Sequence, residues 1–340
     1  MVGKIENIKV RGIVTALPTE IEDDSRYIDV LGEQRVKKQR RITGVKERRM
    51  DDGKHTAADY CISAAKQLLR QLEWDLAQIK VMVFVTQHPS LIMPSTAFVI
   101  QNHLGLPKDC MVFDVNLGCS GFVSGLHIVA SLLQQYGVGS RGLLLAGDIQ
   151  RNPNYILPNT EDGIADAMLF GSCGTATALE FTKNADSIYS EEIADGSRYK
   201  TIHMCYGEAS QMNGEEVFEY GITDVVNWVN AFQKTVDGFE KKEIDYYIFH
   251  QAQKFLLQNI ASICGIDMNQ MLMSLEKYGN TSSGSIPLTM CLHKEKLLQK
   301  RKTSLFLCGF GIGLSCALMR MSIQSDTVLE LIESDEKYSY

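Results

Sequence analysis

Met111-Val112-Phe113-Asp114-Val115-Asn116-Leu117-Gly118-Cys119-Ser120-Gly121-Phe122 is the stretch on which the fold is decided. Met111 to Val115 reads as a short buried strand, and Ser120 to Tyr136 as a helix carrying Phe122, Val123, Leu126, Val129 and Leu133 on one face. Cys119 is thereby expected after a strand and at the first turn of a helix. Exposed backbone N–H groups and the positive end of the helix dipole favour a thiolate there, with a pKa below the free value of about 8.5, and so a nucleophile near neutral pH. The flanking glycines leave room for a substrate. For the other eight cysteines the reading is a small buried hydrophobe.

Working outward, Val81 to Val85 and Leu143 to Ala146 are further apolar strands, and Thr56 to Leu72 is a helix with Ala57, Cys61, Ala64, Leu68 and Leu72 on one face. Strands alternating with helices predict an α/β fold with buried strands. The same order recurs about 163 positions later: Val217 to Phe232 as the helix, Tyr246 to His250 and Ser304 to Leu307 as strands. Gly265-Ile266-Asp267 stands where Gly105 and its Leu106-Pro107-Lys108-Asp109 tail stood, and Asn280-Thr281 opens a helix where Cys119-Ser120 did. The pattern predicts a duplicated fold, with one half over residues 1–180, a second over 181–320 and an extension over 321–340. In the extension Val328, Leu329, Leu331 and Ile332 predict a short amphipathic helix. Open α/β sheets place ligands at the carboxyl ends of their strands. Cys119, His250 and Asn280, each read as following an apolar strand, are therefore expected to converge.

The composition sets bounds on this reading. The chain has 340 residues, 45% hydrophobic and 22% charged, which supports a sizeable core, and a net charge of −7 is unfavourable for bulk binding of polyanions. Nine cysteines without a CxxC pair argue against a disulfide framework and a structural zinc site. The opening Met1-Val2-Gly3-Lys4-Ile5-Glu6 stretch has charges where a signal peptide needs an apolar core, and no apolar run reaches the roughly 20 residues that cross a bilayer. The expectation is a cytoplasmic protein without metal, cofactor or membrane contact.

His250 ends the run Tyr246-Tyr247-Ile248-Phe249, where a satisfied structural histidine is the alternative to a catalytic one. Asn280 lies in Lys277-Tyr278-Gly279-Asn280-Thr281-Ser282, where a helix N-cap is the alternative. Cys308-Gly309-Phe310-Gly311-Ile312-Gly313 is not a dinucleotide fingerprint; its alternate glycines imply close approach to a ligand or a neighbouring strand. Residues 35–49 hold Arg35, Lys37, Lys38, Arg40, Arg41, Lys46, Arg48 and Arg49 against Glu47. Such a run is either a solvated face or a phosphate contact, and without an aromatic stacking platform it is no nucleic-acid site.

Together these residues resemble the thiolase-fold condensing enzymes, and specifically the β-ketoacyl-acyl-carrier-protein synthase III group. The marks, over residues 5 to about 320, are Arg41-Ile42-Thr43-Gly44-Val45, the Cys119-Ser120-Gly121-Phe122 turn, Asn213-Gly214-Glu215-Glu216-Val217-Phe218, His250-Gln251-Ala252, Gly279-Asn280-Thr281-Ser282 and the Gly309 to Gly313 run. The resemblance implies two pseudo-symmetric halves in a layered αβαβα sandwich and a homodimer joined through the Met111 to Val115 strand. It implies that Cys119 carries an acyl group taken from coenzyme A or a carrier protein, and that His250 and Asn280 hold the thioester carbonyl of a malonyl-type extender. The backbone N–H groups of Cys119 and of Gly311-Ile312 would form the oxyanion hole for acyl transfer, with Ile312 the second donor. Met93, Arg41 and Lys38 fall at substrate-binding positions. The reaction implied is a decarboxylative condensation to a 3-oxoacyl product, in fatty acid or specialised polyketide-like biosynthesis. Two neutral donors, an imidazole N–H and an amide NH₂, suit an enolate without quenching its carbanion. The rival is a Cys-His-Asn triad performing acyl transfer or thioester hydrolysis without condensation.

The sequence also departs from the group. Lys38 stands where members stack a tryptophan on adenine, Glu219 where a lysine is expected, and Ser262 and Ile263 where basic residues hold the carrier. Phe170-Gly171-Ser172-Cys173-Gly174 replaces the usual Phe-Gly-Asp-Gly-Ala-Gly run. These departures point to a specialised pathway.

Overall fold

A computed structural model describes residues 1–151, 163, 167–183, 185–205, 208–236 and 243–338. Eleven strands form two sheets: β1 (Gly3–Ile5), β2 (Ile8–Leu17), β3 (Ile79–Val85), β4 (Met111–Val115), β5 (Arg141–Asp148), β6 (Cys173–Phe181), β7 (Ile188–Ala194), β8 (Tyr246–Phe249), β9 (Lys302–Gly311), β10 (Ser315–Gln324) and β11 (Val328–Glu333). The first sheet runs β11-β2-β6-β5-β3-β4 and the second β1-β7-β10-β9-β8. Their cores match. In the first, β2 is antiparallel to β6, β6 to β5, and β5 is parallel to β3; in the second, β7, β10, β9 and β8 repeat those relations in that order. The duplication read from the sequence is thus a duplication of strand pairing.

Alternation along the strands explains the layers. On β3, Val81, Val83 and Val85 face the centre of the molecule while Met82 and Phe84 face outward, and all five are fully buried. The inward set packs with β9 residues Leu305 and Leu307 around helices α4 (Gly121–Leu133) and α7 (Ser285–Leu292). The outward set meets α2 (Ala57–Leu72) and α3 (Thr96–Leu104). Beyond the second sheet, Tyr247, Phe249 and Phe306 bury themselves against α5 (Val226–Thr235) and α6 (Lys254–Cys264). The result is an αβαβα sandwich. Preceding α2 in the chain, α1 (Glu33–Thr43) carries part of the basic run.

The helix expected over Val217–Phe232 is present as Gly214–Tyr220 and α5, joined by a wider π turn at Gly221–Val225. At the far end of the chain the expectation fails. Val328–Glu333 is a strand, parallel to β2, not a helix. Leu329 and Leu331 point into the central layer and Val328 and Ile332 toward α2, so a strand covered on both faces mimics helical spacing. Glu330 accepts from the Gln67 and Gln71 amides on α2. The termini therefore trade places, with β1 extending the second sheet and β11 the first.

Candidate active site

Cys119 sits two positions ahead of Gly121, the first residue of α4, so it precedes the helix rather than occupying its first turn. Ser120 makes no side-chain cap. Its hydroxyl instead meets that of Ser315 at 2.8 Å, and Ser315 Oγ donates to the Ile312 carbonyl at 2.6 Å, which ties the cysteine turn to the β9–β10 connection. Gly311 explains the glycine run. With φ 151°, an added Cβ would lie 2.8 Å from the Cys119 Cβ and 3.0 Å from its Sγ. The close approach inferred from alternate glycines is thus to the cysteine, and it brings the Ile312 N–H onto the sulfur.

The sulfur is less acidic than its sequence position led us to expect. Burial, and then the nearby Asp148 carboxylate, push the Cys119 thiol up to about 12, against the Ile312 N–H, its own N–H and the Ser282 hydroxyl, which pull it down. Desolvation outweighs the helix end because Cys119 lies outside the helix and beside a buried anion. Asp148 is fully buried. Burial opposes its ionisation, yet the His88 imidazole, the Gln87 N–H and Ser283 hold its carboxyl below the ordinary range. Ser283 Oγ donates to it at 2.7 Å, the Gln87 N–H at 2.8 Å, and His88 Nδ1 lies at 3.3 Å.

His250 follows β8 directly and is buried, with its N–H donated to the Cys308 carbonyl at 2.7 Å. Its Nδ1 lies 2.9 Å from Ser285 Oγ, which also accepts the Gln251 N–H at 3.3 Å. The serine hydrogen is then available for Nδ1, and we assign the ring hydrogen to Nε2 from this network. Burial pushes His250 down to about 4, although the Ser282 carbonyl and the Asp148 charge work the other way. The ring is neutral throughout the physiological range.

Asn280 does not directly follow a strand. It comes after a short helix, Leu275–Tyr278, and it is no helix N-cap. A backbone ladder fixes it: its N–H donates to the Leu169 carbonyl at 2.8 Å and its carbonyl accepts the Gly171 N–H at 3.0 Å. Its side-chain oxygen accepts the Ser282 N–H at 2.8 Å, and Nδ2 stands 3.4 Å from His250 Nε2. Two neutral N–H groups on adjacent atoms, with no charge between them, can hold one oxyanion.

The altered Phe170 to Gly174 run supports this ladder. Ser172 Oγ donates to Asp51 at 2.8 Å, and Arg48, fully buried and paired with Glu22, donates to the Met168 carbonyl at 2.7 Å. Much of the basic run is spent in this way, since Arg40 pairs with Asp24, Arg49 with Glu333, Lys37 with Glu33 and Lys46 with Glu276. Lys38 and Arg41 are exposed on α1, and Met93 is 84% exposed in the β3–α3 loop. The structure thus gathers Cys119, His250, Asn280 and Ile312, and leaves Met93, Lys38 and Arg41 at the surface. The sequence reading missed Asp148, Gln87, Ser282 and Ser285 as members of the site. The signal for two of them was present in the Ser282-Ser283-Gly284-Ser285 stretch that follows Asn280.

Residues 235–323 match the family described as 3-oxoacyl-[acyl-carrier-protein (ACP)] synthase III C terminal. Over 321 residues the chain is 29% identical to the β-ketoacyl-[acyl-carrier-protein] synthase III 2 of Halalkalibacterium halodurans, covering 90% of this chain and 93% of that one. A synthase III of Baumannia cicadellinicola is 29% identical over 325 residues, covering 92% and 99%. The crystal structure of a 3-oxoacyl-(acyl-carrier protein) synthase from Burkholderia xenovorans superposes with a TM-score of 0.92 at 29% identity, over 98% of this chain and 99% of that one. The chain is a thiolase-fold enzyme of the β-ketoacyl-acyl-carrier-protein synthase III-like kind. For a synthase III-like chain, the matched segment is the one that supplies His250, Asn280 and the Ile312 N–H. No cluster of three or more His, Cys, Asp or Glu suited to a metal occurs among the described residues, and no helix described is long and apolar enough to cross a membrane.

Proposed function

We propose that this enzyme is an acyltransferase performing decarboxylative Claisen condensation of an acyl thioester with a malonyl-type thioester, through an acyl-Cys119 intermediate, to give a 3-oxoacyl product. The observation that carries the reading is the pairing of Asn280 Nδ2 with His250 Nε2 at 3.4 Å, with the imidazole held neutral, next to a cysteine backed by two N–H donors. Loss of carbon dioxide from the extender leaves an enolate, and this pair holds its oxygen. The carbanion then attacks the Cys119 thioester, whose carbonyl oxygen sits between the Cys119 and Ile312 N–H groups. Acyl-coenzyme A or an acylated carrier protein brings the starter, and the exposed Lys38 and Arg41 on α1 are available to meet its phosphates. The carrier-protein names of the relatives support a role in fatty acid or related biosynthesis. All nine cysteines are free thiols, in keeping with a reducing cytoplasm.

Intact-mass measurement after incubation with acyl thioesters is expected to show one acyl adduct, on Cys119, and a 3-oxoacyl product only when a malonyl thioester is added. Release of free acid without an extender, and no condensation product with one, would replace this reading with the hydrolase.

The dimer is part of the proposal. β4 is the outermost strand of the first sheet, Met111 on it is 45% exposed, and Asp114 accepts the Thr96 and Ala97 N–H groups, which holds exposed Phe98 beside it. An open strand edge with apolar neighbours suits sheet continuation across a two-fold axis. Sedimentation at micromolar concentration is expected to show a dimer; a monomer there refutes the arrangement.

A further inference from the structure

Ser282 touches all three groups of the site. Its N–H donates to Asn280 Oδ1 at 2.8 Å, its carbonyl faces the His250 ring, and its hydroxyl both contacts the Cys119 sulfur and donates to Gln87 Oε1 at 3.0 Å. It is buried and holds φ 50°, a left-handed conformation unfavourable to a non-glycine residue. The backbone is therefore pinned by its two catalytic neighbours. Only the hydroxyl can turn. Its second acceptor is also fixed, since the Gln87 amide lies against Gly118, where an added Cβ would come within 2.7 Å of it.

The charges around the sulfur make that hydroxyl matter. Asp148 is anionic and disfavours a thiolate, His88 is engaged with Asp148, and His250 is neutral. Thiolate character at Cys119 thus depends on neutral donors: two backbone N–H groups and Ser282. We propose that Ser282 is a further catalytic residue, its hydroxyl turning from Gln87 Oε1 to the Cys119 sulfur as negative charge develops there during acyl transfer. In that step the Cys119 Sγ–carbonyl bond forms, the bond from the carbonyl to the donor sulfur breaks, and the cysteine proton ends on the donor thiol. Ser282 supplies no proton; it holds the charge while the proton moves. The inference rests on Cys119 being the nucleophile proposed above.

The test is the pH dependence of iodoacetamide alkylation of the full chain, followed on the Cys119 peptide because Cys205 is exposed and would be alkylated as well. Ser282→Gly suits the left-handed backbone, keeps the bonds to Asn280 and His250, and removes only the hydroxyl; Ser282→Ala is the second variant. Both are expected to move the alkylation midpoint to higher pH and to slow alkylation at neutral pH about tenfold, the scale of one hydrogen bond to a charged group. Gln87→Leu leaves the sulfur as the hydroxyl's remaining acceptor and is expected to move the midpoint the other way. A parent-like midpoint in both Ser282 variants, or an upward shift in Gln87→Leu, overturns the proposal. Alkylation needs no acyl donor. Absence of an acyl-Cys119 adduct in the parent would instead sink the functional reading while leaving this measurement interpretable.

Discussion

Asn280→Ala and His250→Ala are expected to lower decarboxylative condensation by about a hundredfold or more while leaving acylation of Cys119 within a few-fold of the parent. The magnitude follows from removing one preorganised donor from an oxyanion. The selectivity follows from the proposed division of labour, in which acyl transfer would use the Cys119 and Ile312 N–H groups, which here meet the sulfur, and the enolate would use the His250–Asn280 pair. Single-turnover acylation by mass and condensation by product formation separate the two steps; equal losses in both would show that the donors are shared. The pH profile is a second signature. With His250 pushed down to about 4, condensation from preformed acyl-enzyme is expected to show no histidine limb near the ordinary value of 6.5. The sign for stability is the same. Because the folded value is depressed, stability tied to the neutral ring is complete above the unfolded value of 6.5 and is lost as pH falls toward about 4.

Deleting residues 327–340 is expected to cost a large part of the protein's margin of stability, about a third or more. β11 places Val328, Leu329, Leu331 and Ile332 against both faces of the first sheet, and Tyr338 beyond it donates its N–H to Asp59 at 2.8 Å while Lys66 lies 4.2 Å from its ring. Four apolar side chains at roughly 1.5–3 kcal/mol each, part of them incompletely buried, give on the order of 5 kcal/mol, against a total of about 5–15. The truncated chain also bares the β2 edge, a template for association. Thermal denaturation should show a fall of about 7 °C or aggregation, and Leu329→Ala a smaller fall from a loss of about 2–4 kcal/mol. A truncated protein that melts with the parent would make β11 dispensable.

What was legible in the sequence is what neighbouring residues determine. The strand at Met111 to Val115, the turn at Cys119 and the helix behind it follow from apolar spacing and glycine, and the structure places them within a few residues of expectation. The repeat was legible because both halves keep the same order of strands and helices. Asp148 and Ser283 meet across 135 positions, and no local pattern announces such a pair. The acidity of Cys119 was misjudged for the same reason: the helix end is local, whereas the burial and the carboxylate that overcome it come from elsewhere in the chain. Val328 to Ile332 failed differently, since a strand buried on both faces and a helix with one apolar face present the same residues in the same order.

The exchange of end strands also bears on the order in which the molecule is made. A chain synthesised from its amino terminus cannot complete its first sheet when residue 181 emerges, because the neighbour of β2 on its open side is residues 328–333. Residues 3–5 likewise wait for residues 188–190 before they have a partner. Neither half can finish alone on the ribosome. The second sheet is complete only with β10 and the first only with β11, so the nascent chain carries an open β2 edge for nearly the whole of its synthesis, the interval in which capture by a chaperone or by another nascent copy is most consequential.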